Sequence, residues 1–85
     1  MDIIFQTNAW LDYTCWQKTD RQILKKINEL IRDCQRSSYE GIGKPEKLKQ
    51  NLSGWWSRRI NLEHRLVYRV HNNKIVIAQC RKHYW

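Results

Sequence analysis

Thr19-Asp20-Arg21-Gln22-Ile23-Leu24-Lys25-Lys26-Ile27-Asn28-Glu29-Leu30-Ile31-Arg32-Asp33-Cys34 carries the clearest periodicity in the chain. Ile23, Ile27, Leu30, Ile31 and Cys34 recur at the steps of three and four that line one side of an α-helix. Thr19 and Gln22 have the T-x-x-Q spacing of a capping box, in which a hydroxyl and an amide each satisfy a backbone N–H left unpaired at a helix start. The stretch therefore reads as a helix with one apolar side. Its other side, with Arg21, Lys25, Lys26, Glu29, Arg32 and Asp33, reads as a solvated surface.

Upstream, Asp2 to Gln6 reads as a short strand around Ile3, Ile4 and Phe5. Thr7 or Asn8 can cap a first helix beginning near Ala9, short and aromatic, on which Trp10, Tyr13 and Gln17, or Ala9, Tyr13 and Trp16, fall at helical intervals. Downstream, Ser37, Ser38, Gly41, Gly43 and Pro45 mark an irregular connection. Strands follow near Lys47 to Gln50, across Trp55 to Ile60 and from His64 to Val70. Asn72-Asn73 makes a tight hairpin into a last strand, Lys74 to about Lys82, because asparagine tolerates the positive φ such turns require. The order β-α-α-β-β-β-β over residues 1–85 predicts one α+β domain, with both helices on one face of an antiparallel sheet. Leu66, Tyr68 and Val70 share the covered face and can meet Ile75 and Ile77 across the hairpin, while Arg65 and Arg69 point to an open, basic face. Trp10, Trp16, Trp55 and Trp56 are the candidates to fill so thin a core, with one of Trp55 and Trp56 buried and the other partly exposed.

Sixteen Lys and Arg against eight Asp and Glu give a formal charge of +8, which calls for a polyanionic partner without saying which. A membrane is the weakest choice: the longest apolar run is about four residues, Ile75 to Ala78, too short to span a bilayer or to serve as a secretion signal. A cytoplasmic protein is expected. Cys15, Cys34 and Cys80 are odd in number and widely spaced, and neither they nor His64, His71 and His83 fall at metal-ligand spacings. The cysteines read as reduced, mostly buried small hydrophobes, and no metal or cofactor is expected. His64 reads as a structural hydrogen-bonding residue at a strand start.

RNA cleavage without a metal needs a base for the 2′-hydroxyl, an acid for the departing 5′-oxygen and cations for the charge that develops on phosphorus. Glu46 can take a proton, His83 can give one, and the lysines and arginines can hold phosphate. In so basic a chain those residue types alone decide little.

A resemblance says more. Lys25-Lys26-Ile27-Asn28-Glu29-Leu30-Ile31, Gly41-Ile42-Gly43-Lys44-Pro45-Glu46, Leu52-Ser53-Gly54-Trp55-Trp56-Ser57-Arg58-Arg59-Ile60, Glu63-His64-Arg65-Leu66-Val67-Tyr68 and His83-Tyr84 stand in order along nearly the whole chain. Together they resemble the YoeB/Txe family of the RelE toxin superfamily. The resemblance implies a compact RelE-like fold and a toxin that cuts messenger RNA in the ribosomal A site without a metal. Glu46 would be the general base, His83 the general acid, Arg65 the cation at the transition state and Tyr84 a positioning or stacking residue. Lys49 and Arg59 would be supporting phosphate contacts; Lys44, Arg58, Arg81 and Lys82 are candidate RNA contacts by residue type alone. The implied partners are messenger RNA, the ribosome and an antitoxin of YefM/Axe type with an acidic toxin-binding segment. The resemblance also allows a homodimer, with DNA reached only through the antitoxin. The chain departs from the family pattern twice, with Trp85 after His-Tyr and with Lys47 where proline is usually repeated.

The same superfamily contains non-enzymatic inhibitors of gyrase, and a plain nucleic-acid-binding module would need only the charge. The joint presence of Glu46, Arg65 and His83-Tyr84 favours the nuclease. Strand parity sets a condition on it: an ideal two-residue turn at Asn72-Asn73 pairs Arg65 with Cys80 and leaves His83 on the opposite face. A bulge, or an early exit from the strand near Arg81, is therefore expected.

Overall fold

The long periodic helix forms, but one residue later than its capping box implies. A computed structural model, which describes residues 1–83, places β1 at Asp2–Phe5, α1 at Thr7–Thr19 and α2 at Arg21–Arg36. After these come β2 at Glu46–Lys47, β3 at Trp56–Arg59, β4 at Arg65–His71 and β5 at Lys74–Gln79. Asp20, not Thr19, caps α2: its Oδ1 accepts from the backbone N–H of Gln22 at 3.1 Å and of Ile23 at 3.2 Å. A carboxylate is the stronger acceptor at a helix start. Thr19 instead ends α1, donating its hydroxyl to the Cys15 carbonyl. Helix α1 starts at Thr7 without a side-chain cap, two residues earlier than expected.

The sheet runs β1-β5-β4-β3-β2. Its last four strands are antiparallel as expected, but β1 lies parallel to β5, with Asp2 opposite Lys74 and Phe5 opposite Ile77. The sheet is therefore mixed rather than antiparallel. A parallel pair needs a crossover and has no turn to announce it, so two strands this far apart leave no local signature. Strand β2 is only two residues long, ending at Lys47 where a strand to Gln50 was expected, and Gln50–Leu52 forms a 3-10 turn.

The helices cover one face. Ala9 and Trp16 from α1, and Ile27, Leu30, Ile31 and Cys34 from α2, pack with Leu66, Tyr68, Ile75 and Ile77 of β4 and β5. Trp10 stays 51% exposed, its ring against Phe5 and Tyr13, so of the four tryptophans only Trp16 is fully in the core. Trp55 and Trp56 are both half-buried, on opposite sides: Trp56 packs on the core and against Tyr39, and Trp55 lies beneath Arg69.

Asn72 and Asn73, at φ 50° and 59°, make the tight hairpin. From there the ladder pairs Val70 with Ile75 and Tyr68 with Ile77, but Val67 with Gln79, so Ala78 is an extra residue on β5. A bulge was one of the two departures expected from strand parity. Alternation then separates two sets of side chains. Leu66 and Tyr68 face the helices, and Arg65, Val67, Arg69 and His71 face away from them.

Candidate active site

The loop between α2 and β2 is held from below by a buried ion pair. Arg58 on β3 is fully buried, and its Nη1 donates to Asp33 Oδ2 of α2 at 2.6 Å and to the Ile42 carbonyl. Its Nη2 donates to the Ser37 and Glu40 carbonyls, and its Nε to the Tyr68 hydroxyl. Burial works against the charge, but these bonds outweigh it and hold Arg58 protonated. The Arg58 guanidinium, helped by the Ile42 N–H and by Arg36, lowers the Asp33 carboxyl to about 2. Burial pushes the Tyr68 hydroxyl up to about 12, so it remains a neutral donor to the Ser38 carbonyl. Arg58 is therefore a brace for the loop, and its assignment as an RNA contact is corrected: its hydrogen bonds are spent inside the fold.

That brace explains Gly41-Ile42-Gly43-Lys44-Pro45-Glu46. A β-carbon on Gly41, at φ +116°, would overlap the Asp33 carboxylate, and one on Gly43, at φ +79°, would press on Leu30 and Arg59. The two glycines let the loop lie flat on α2, and Arg59 N–H donates to the Gly43 carbonyl at 2.6 Å, guiding the chain into β2. Glu46 emerges there, exposed and directly opposite Ser57.

Register fixes what shares its face. Glu46 pairs with Ser57, Ser57 with Val67 and Val67 with Gln79, and in the adjoining row Arg59 pairs with Arg65. Cross-strand partners project to the same side, so Glu46, Arg59 and Arg65 all rise from the face away from the helices. Arg65 is only 9% exposed, and its Nη1 donates to the carbonyls of Asn61, Leu62 and His64 at 2.7, 3.3 and 3.1 Å. The turn that supplies them is itself locked, because Asn61 Oδ1 accepts from the N–H groups of Glu63 and His64.

The tail bearing His83 is fastened by side chains that sequence reading did not single out for that task. Strand β5 stops at Gln79, and the next residue turns to α1: Asp12 Oδ2 accepts from Cys80 N–H at 3.1 Å, and Trp16 Nε1 donates to the Cys80 carbonyl at 2.9 Å. Burial raises the Asp12 carboxyl against the lowering effect of that bond. Lys82, at φ 61°, turns the chain back, its carbonyl accepting from Arg65 N–H at 3.0 Å and its N–H donating to His64 Nδ1 at 2.7 Å. His64 is buried edge-on to Trp16, and an accepting Nδ1 puts its proton on Nε2. The structural role expected for His64 holds, and its partner is the residue before His83. His83 is exposed and lines a cavity of about 370 Å³ with Asn8, Asp12, Gln79, Arg81 and Lys82.

Lys44, Lys49, Arg59, Arg81 and Lys82 are all exposed, with Arg81 over the Trp16 ring. Tyr84 and Trp85 lie outside the described residues. The three cysteines are free; Cys34 and Cys80 are buried, and burial pushes the Cys80 thiol up to about 12. Among the described residues no cluster of His, Cys, Asp and Glu could hold a metal ion, and no helix is long and apolar enough to cross a membrane.

Residues 5–84 match the sequence profile of the YoeB-like toxins of bacterial type II toxin-antitoxin systems. The chain belongs to this family. The YoeB toxin of Escherichia coli strain K12 is 58% identical over 84 residues, 99% of this chain and the whole of that one. The YoeB/ParE toxin structure from Agrobacterium tumefaciens superposes with a TM-score of 0.97 at 46% identity, covering 99% and 100% of the two chains. A heterotetrameric YoeB-YefM complex from Staphylococcus aureus aligns through its toxin at a TM-score of 0.92 and 54% identity, covering 99% and 98%. A YoeB dimer from the same organism aligns equally well. YoeB-like toxins thus share the two-helix, five-strand architecture described here.

Proposed function

We propose that this type II toxin is an endoribonuclease that cuts messenger RNA in the ribosomal A site by 2′-hydroxyl attack, without a metal. Glu46 takes the 2′-hydroxyl proton, the O2′ atom bonds to phosphorus, and the bond from phosphorus to the 5′-oxygen breaks as His83 donates a proton to the leaving oxygen. The products are a 2′,3′-cyclic phosphate and a 5′-hydroxyl end. Arg65 hydrogen-bonds the phosphorane oxygens, with Nη1 anchored in the Asn61–His64 turn so that its direction is set before substrate arrives. Arg59, Lys49, Lys44, Arg81 and Lys82 attract and hold the flanking phosphates, and Tyr84 positions or stacks the substrate. The observation that carries this reading is the register that puts Glu46, Arg59 and Arg65 on one face, together with the bond from Arg65 N–H to the residue before His83.

The Staphylococcus relatives are solved as a complex with YefM and as a dimer. By the same logic this chain pairs with an antitoxin of YefM/Axe type, acidic over the segment that meets the basic face, and forms a homodimer when free. Charge complementarity would steer that encounter, so association slows at high salt. DNA is reached only through the antitoxin, and the working compartment is the cytoplasm.

The test is to map RNA ends after mixing purified protein with ribosomes carrying a defined message, with EDTA added after assembly at a level that spares the ribosomes. Cuts confined to the A site that survive EDTA are expected. Blocked translation with intact message would replace the nuclease by a binding inhibitor.

A further inference from the structure

Arg69 has no hydrogen-bond acceptor for its Nε among the described residues. Its Nε is buried and unpaired, and among the described residues it makes no ion pair, only a cation-π contact with Trp55, Cζ to ring centroid 5.5 Å. Unpaired buried donors are rare because desolvation is unfavourable, and a ligand that supplies the acceptor is one reason for such a group to persist. Beside it opens a cavity of about 300 Å³ lined by Gln6, Trp55, Arg69, His71 and Val76. The walls therefore combine an aromatic face, a guanidinium plane, an imidazole and a primary amide.

We infer that this cavity is a second nucleotide subsite, in which a base stacks on the Trp55–Arg69 pair and its phosphate takes Arg69 and His71 as donors. The inference rests on the ribonuclease reading. Arg69 is on β4 four residues from Arg65, and alternation sends both side chains to the same face. Four residues of strand span roughly 13 Å. At about 3.4 Å per stacked nucleotide the subsite is about four nucleotides from the phosphate at Arg65. An acidic peptide could use the cation but has no use for the aromatic wall or the Gln6 amide, whereas guanidinium planes and indoles are the surfaces on which splayed bases stack. The cavity thus extends RNA contact along the sheet, beyond the dinucleotide being cut.

The experiment is equilibrium binding of labelled single-stranded RNAs of about three and eight nucleotides, a pair chosen to fall short of and to span that distance, to the His83→Gln protein with and without Arg69→Gln or Trp55→Leu. The eight-mer should bind the parent more tightly than the three-mer. Each substitution should weaken the eight-mer by about 5- to 20-fold while leaving the three-mer within about twofold. Equal losses at both lengths, no loss at either, or a parent without a length advantage would overturn the subsite. So would variants that loosen the antitoxin complex but not RNA, which would assign the cavity to an acidic peptide. Cleavage is scored separately with His83 intact, so a protein that binds with the expected length dependence yet never cuts would remove the nuclease reading and keep the subsite.

Discussion

Arg58 and Arg69 each lean over an aromatic ring, Arg58 over Tyr68 at 5.7 Å and Arg69 over Trp55 at 5.5 Å, yet they stand on opposite faces of the sheet with opposite fates. Facing the helices, Arg58 finds a carboxylate, a hydroxyl and three carbonyls, and every one of its nitrogens is used. Facing away, Arg69 lies over a ring, and its buried Nε has no acceptor among the described residues. Arg65 is intermediate, with one nitrogen pinned to a turn on the face it shares with Glu46. In a chain with sixteen basic residues, charge alone does not distinguish an arginine that braces the fold from one proposed to hold RNA, whereas the matching of its donors within the fold does differ between them.

The largest effect is expected at His83, where His83→Gln should slow cutting of ribosome-bound message by about a hundred- to ten-thousand-fold while unfolding free energy stays within about 0.5 kcal/mol. Arg58→Met should do the reverse, removing about 3–5 kcal/mol of stability in denaturant titrations because it strands the Asp33 carboxylate and three carbonyls. Any folded fraction should keep cutting. A stable but inactive Arg58→Met protein would put Arg58 back among the RNA contacts.

His64 sharpens the boundary between the two classes, since it touches no substrate in this account and yet holds Lys82. His64→Gln should lower the cutting rate by about tenfold at a stability loss of about 1 kcal/mol, and His64→Asn, whose Oδ1 can stand where Nδ1 accepts, should recover part of the rate. Equal rates for the two variants would reduce His64 to packing. The smallest effect is a change of slope with pH. The Asp33 carboxyl is held near 2, below its unfolded value, so the stability it contributes is complete above about pH 4 and is lost as pH falls toward 2. Acid titration of Asp33→Asn should lack that loss.

These contrasts also show what could be read from residues alone. Helix α2 was legible because its apolar spacing is local, and Asn72-Asn73 because a tight turn needs residues that tolerate positive φ. Parity across that hairpin led to the expectation of a bulge or an early exit from the strand, and a bulge is found at Ala78. The parallel pairing of β1 with β5 was not legible, nor was the choice between Arg58 and Arg59: adjacent strand residues must face opposite ways, and Asp33, 25 positions earlier, decides which turns inward. The mooring of the tail was hidden for the same reason. Asp12, Trp16 and His64 look like ordinary helix and strand residues until the chain end is laid across them. Glu46 and Arg65 stood out by resemblance to a family, and the glycines before Glu46 gain their physical reason only from the buried pair beneath the loop.

The most direct test of the account is the single-turnover rate at which Glu46→Gln protein cuts ribosome-bound message in EDTA, set against the unsubstituted toxin and with thermal unfolding measured on both. A loss of about a hundredfold or more with an unchanged unfolding midpoint is predicted, because in the proposed mechanism Glu46 is the base and it stands exposed on a two-residue strand. Cutting retained within a few-fold, or cutting by the unsubstituted toxin that disappears with EDTA, would contradict it.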